Sequence, residues 1–127
     1  MKKYIRYLND RYQDILSAIF NLVKIESPSY DSKQCLEAAL YIVSLVKNNC
    51  NANVELIHNE NGGAHVFVEL GDGEENILLV GHFDTVHPNG SIKLNPCRQE
   101  GNRIYGPLIY DIKAGIIQAI FALRICE

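Results

Sequence analysis

Apolar residues recur at steps of three and four along Tyr12, Ile15, Leu16, Ile19, Phe20 and Val23, the stripe of an amphipathic helix that turns one face to a core. The stretch Ser27, Pro28, Ser29 ends it, because the ring of Pro28 disfavours helix in the residue before it. Asp31 or Ser32 then caps a second helix, whose predicted inner face is Leu36, Ala39, Leu40, Val43 and Val46. The polar run from Asn48 to Asn53 closes that helix. Beyond it, residues 54–57 and 64–70 read as strands. In the second, Ala64, Val66, Val68 and Leu70 alternate with His65, Phe67 and Glu69, and Asn61, Gly62 and Gly63 supply the turn between the two.

The run Ile77, Leu78, Leu79, Val80 lacks any polar alternation and lies between the turn-forming GDGEEN and the tight Gly81. That pattern predicts a strand covered on both faces, at the centre of a sheet. A polar connection follows, with Pro88, Gly90, Pro96 and Gly101, before Ile104, Tyr105 and the stretch GPLIYDIKAG. The last segment, IIQAIFALRI, is apolar almost all round and reads as a buried helix. The expected class is α/β, a mixed sheet flanked by helices, with no internal repeat or linker.

Composition narrows the function classes. At 127 residues the chain makes one small domain with a single core, and its 47% hydrophobic content argues against disorder. A net charge of -3 gives no general attraction to phosphate backbones or anionic lipid, so neither nucleic acid nor membrane is an expected partner. The opening MKKYIRYLND meets charged side chains before an apolar run develops, which predicts no signal peptide or anchor and a cytoplasmic address. Cys35, Cys50, Cys97 and Cys126 form no CxxC pair and read as reduced, small buried hydrophobes.

Candidate chemistry gathers after the predicted central strand, where ligands of open α/β sheets collect, and the residues there are His82, Phe83, Asp84, Thr85 and Val86. Two residues apart on extended backbone, His82 and Asp84 point to one side. An imidazole and a carboxylate so placed suit a zinc ion, with Asp84 as the acceptor that fixes the imidazole's tautomer. The same pair also suits a structural histidine at a strand end. Asp111, in a loop with Gly106 and Pro107 just before a helix, is open to two readings as well: a helix N-cap, or a carboxylate facing the His82 strand end.

LLVGHFDTV followed by RIYGPLIYDIKAG resembles the paired motifs of the zinc-dependent aminoacylase, acetylornithine deacetylase, succinyl-diaminopimelate desuccinylase and glutamate carboxypeptidase family of metallopeptidases. There a hydrophobic strand ends in His-x-Asp-Thr-Val, and a Gly-Pro or Gly-Arg loop leads to Asp-x-Lys-Gly-Gly. The intervening PNGSIKLNPCRQEGNRIYG is similar too, and the likeness extends weakly back to LVKIESPS. It implies that residues 1–127 are the N-terminal part of a zinc exopeptidase-like catalytic domain, without a dimerisation domain. It implies His82 and Asp111 as metal ligands, Asp111 bridging two zinc ions (or cobalt), and Asp84 as the catalytic-site residue that orients His82. It also implies a cis peptide between Asp111 and Ile112.

Departures accompany the likeness. Leu108 and Tyr110 stand where small residues are usual, and Ala114 replaces the first glycine of Lys-Gly-Gly. The family's paired glutamates and later ligands have no counterpart up to Glu127; Glu74 and Glu75 precede the His82 motif and read as solvated, and His58, His65 and His87 match no ligand. The expected function is zinc-dependent hydrolysis of an amide bond in peptides or N-acyl amino acids, with this chain supplying part of the active site. The alternative is a truncated remnant or interaction module without turnover. Either way, strands left without partners predict self-association through exposed edges.

Overall fold

The computed structural model describes residues 2–60 and 63–126; Asn61 and Gly62, where the first turn was expected, lie outside the described residues. Helix α1 spans Lys2–Asp10, α2 Tyr12–Lys24 and α3 Ser32–Asn49. Strands β1 (Asn53–His58) and β2 (Ala64–Glu69) follow, then the short α4 (Ser91–Leu94), strands β3 (Arg98–Glu100) and β4 (Arg103–Tyr105), and α5 (Ala114–Cys126). The chain is therefore of mixed α/β class. Among the described residues, no helix is long and apolar enough to cross a membrane.

The core lies where α2, α3 and α5 meet. Leu22 and Val23 of α2, Ala38 and Val46 of α3, and Ile117 and Phe121 of α5 are buried there, with Val54, Val66 and Val68 of the β1–β2 hairpin packed against them. Asp31 caps α3 as its sequence suggests, accepting from the Gln34 amide at 3.1 Å. The inner face of α3 differs from the prediction: Cys35, Ala38, Ala39, Ile42 and Val46 are buried, while Leu40 is 49% exposed. The small Ala38 and Ala39 allow close helix approach, and the packed stripe rotates towards them. Helix α5 buries Ala114, Ile117, Ile120 and Phe121 and leaves its other side open, so it is covered on one face only, not all round.

β1 and β2 pair antiparallel, from Asn53↔Glu69 to His58↔Ala64, and β2 alternates inward and outward as its sequence predicts. β3 and β4 form a second antiparallel pair that the sequence reading passed over as a polar connection. The expected mixed sheet with 77–80 at its centre is not what the structure shows. Among the described residues there are two two-stranded antiparallel sheets and one isolated parallel bridge, Pro28↔Thr85. Ile77 is 91% and Val80 80% exposed. The apolar run predicts burial correctly only if strands flank it, and here none does. A cavity of about 370 Å³ separates it from β2, α3 and α5, lined by Val66, Val68, Leu79, Ile116 and Ala119 among others.

Candidate functional site

His82, Asp84 and Asp111 come together at one edge of the molecule. His82 and Asp84 lie on the segment that leaves the apolar run, and Asp111 lies in an irregular turn, Ile109–Lys113, that leads into α5. That turn breaks from helical geometry at Asp111 (φ -122°, ψ 86°) and again at Ile112, and α5 begins only at Ala114, so Asp111 stands too far ahead of the helix to be its N-cap. The Asp111–Ile112 peptide is cis, and Leu108, which opens the turn, takes a left-handed φ of 59°.

The His82 ring is fixed from one side and open on the other. Its Nδ1 lies 3.1 Å from the main-chain oxygen of Asp84 and 3.4 Å from Asp84 Oδ1. The carbonyl can only accept and the carboxylate is at the edge of hydrogen-bonding range, so Nδ1 carries the proton and donates chiefly to the carbonyl. In the neutral ring Nε2 then keeps its lone pair, and Asp111 Oδ1 stands 3.6 Å from it. Two donors held about 2.0–2.1 Å from one zinc in tetrahedral geometry stand roughly 3.3–3.4 Å apart, so this pair fits a shared metal ion better than a direct hydrogen bond. Asp111 is 79% exposed on its side chain, facing solvent where a substrate or further ligands have access.

The segment is held from beneath. Ser27 Oγ donates to Phe83 O at 2.6 Å, the Thr85 amide donates to Ser27 O, and the Ser29 amide donates to Thr85 O, each of the last two at 2.9 Å. Ser29 Oγ donates to Asp84 Oδ2 at 2.6 Å. Lys113, only 1% exposed, sends its ammonium from the Asp111 turn to the carbonyls of Leu22, Ile25 and Glu26. Burial pulls its pKa down to about 8 against an ordinary 10.5. Cys35, beneath the loop, has its thiol pushed up by burial and then by Asp84 and Asp31, which suits an inert packing group.

Sequence reasoning singled out His82, Asp84 and Asp111 but not Ser27, Ser29, or the burial of Lys113. Pro28 was a signal for a helix end and not for the turn it makes, in which Ser27 takes a φ of 49°. His58, His65 and His87 are exposed, as are Glu74 and Glu75, none of them at the site. Among the described residues, no group of three or more His, Cys, Asp or Glu side chains converges on one point. None of the four cysteines forms a disulfide; Cys35 and Cys50 are buried, whereas Cys97 is half-buried and Cys126 exposed.

No protein-family model matches the chain. It is similar to carboxypeptidase G2 of Pseudomonas sp. (strain RS-16), with 27% identity over 123 residues. That alignment covers 93% of this chain and 29% of the relative, so the chain spans less than a third of that protein's length.

Proposed function

We propose that this chain contributes part of the metal site of a zinc-dependent amide hydrolase acting on peptides or N-acyl amino acids. The observation that carries the reading is the approach of His82 Nε2 to Asp111 Oδ1 at 3.6 Å, from two motifs far apart in sequence. His82 and Asp111 are the ligands, and Asp84 orients the imidazole through its main-chain oxygen and its carboxylate. The carboxypeptidase likeness supports the reaction class, and the donor set of one imidazole and one carboxylate suits zinc, with cobalt as a substitute.

His82 and Asp111 would hold the zinc, which would supply Lewis acidity towards water and an amide carbonyl. Asp84 keeps the Nδ1 proton in place, so that Nε2 presents a lone pair, and the exposed Asp111 carboxylate closes the other side. A catalytic zinc takes about three protein ligands, and among the described residues no group of three or more His, Cys, Asp or Glu converges to supply them. We read residues 1–127 as the N-terminal part of a catalytic domain on the strength of the motif resemblance alone.

The test is hydrolysis of an N-acyl amino acid and of a short peptide by the full gene product, before and after chelation. Activity that is lost on chelation and restored by zinc supports the reading. A gene product that binds zinc without turnover makes the chain a binding module instead.

A further inference from the structure

We infer that Ser29 is a positioning residue for this site, acting on His82 through Asp84. The inference rests on the reading of His82 as a metal ligand, and it begins from a chain of contacts that ends there. Ser29 Oγ has one proton to give and two acceptors in reach, Asp84 Oδ2 at 2.6 Å and Thr85 O at 3.1 Å. The shorter contact ends on a charged oxygen, which makes it the stronger of the two. With Oδ2 held, the Asp84 carboxylate can turn only so far, and Oδ1 is left 3.4 Å from His82 Nδ1.

Ser29 is itself held. Its amide donates to Thr85 O and Ser27 O accepts from the Thr85 amide, the two bonds of the Pro28↔Thr85 bridge. Ser27 is fully buried and its hydroxyl donates to Phe83 O. Residues 27–29 are thus laced to the residues on either side of Asp84, Ser27 to Phe83 and Thr85 and Ser29 to Thr85, and the exposed Ser29 hydroxyl is carried on a fixed base. The same loop begins at Ile25 and Glu26, whose carbonyls accept from the buried Lys113 of the Asp111 turn. The two ligand-bearing segments are therefore set relative to one another through residues 25–29, and Ser29 is the point at which that loop reaches a side chain of the site.

Such outer partners of a metal-bound histidine fix its tautomer, and their loss costs about 10- to 100-fold in metal affinity. The test uses the 127-residue chain with Ser29→Ala, Ser29→Thr and Asp84→Asn, and has two readouts: the His82 ring 15N shifts without metal, and zinc affinity by competition with a chromophoric chelator. Ser29→Ala is expected to perturb the His82 ring 15N shifts, as the Asp84 carboxylate loses its fixed place beside Nδ1, and to weaken zinc about ten-fold, with thermal unfolding unchanged. Ser29→Thr, which keeps the hydroxyl, is expected to restore both. In the Asp84→Asn background the effect of Ser29→Ala on the ring is expected to disappear. Ring shifts and zinc affinity that Ser29→Ala leaves at the wild-type values overturn the inference while the zinc reading stands. Wild-type chain that takes up no zinc, but whose His82 ring responds to Ser29→Ala and is rescued by threonine, overturns the zinc reading and keeps the positioning role.

Discussion

Lys113 Nζ donates to the main-chain oxygen of Leu22 at 3.2 Å, fastening the turn that carries Asp111 to the last turn of α2. A buried ammonium is costly unless its protons are used, and here the carbonyls of Leu22, Ile25 and Glu26 receive them. The same contact satisfies oxygens that a helix end leaves without partners. Lys113→Met keeps the length and apolar stem of the side chain but leaves those carbonyls without this donor. The expected loss of stability is about 2 kcal/mol, part of it offset by removing a buried charge. Urea unfolding checks this; an unchanged midpoint would show that the lysine does not fasten the turn.

Glu26 accepts from the amides of Gly90 at 2.8 Å and Ile92 at 2.9 Å, joining the end of α2 to the α4 turn. Burial pushes its carboxyl up, but the amides of Ile92, Gly90 and Ser91 with Lys93 outweigh that and hold it below the ordinary 4.5. A carboxyl lowered in the folded state contributes stability that is present above 4.5 and lost as pH falls through the folded value. The stability difference between wild type and Glu26→Gln is therefore expected to be constant above that pH and to shrink below it. Urea titrations across the acid range check this, and a difference independent of pH contradicts it.

The exposed run Ile77, Leu78, Leu79, Val80 predicts concentration-dependent self-association, since among the described residues no strand pairs with it. Leu78→Lys places a charge on that edge at a residue 81% exposed, so folding is expected to be unaffected. Light scattering should show wild-type mass rising with concentration and the variant staying nearer to one chain. A wild type that stays monomeric when concentrated removes this expectation.

Much of this was legible in the sequence, for physical reasons that also explain the rest. The Tyr12 to Val23 stripe, the Asp31 cap and the alternation from Ala64 to Glu69 are local patterns, and each became the element it predicts. Burial of 77–80 is not local, because it depends on strands beside it, and the apolar run alone cannot supply them. Leu40 was misplaced because an alanine pair and a leucine are both apolar, and the packed face is chosen by how closely helices approach. His82, Asp84 and Asp111 stood out by motif and spacing, and the structure brings all three to one edge. Ser29 and the buried end of Lys113 gave no such signal, since a serine after proline and a lysine near a helix start are ordinary surface residues until the fold places them.

Zinc content measured by plasma emission on the purified chain, beside His82→Ala and Asp111→Ala after gel filtration, tests the central claim most directly. The account predicts that wild type retains zinc and that each variant loses most of it, with all three folded alike by circular dichroism. Equal zinc in wild type and both variants, or none in any of them, would contradict it.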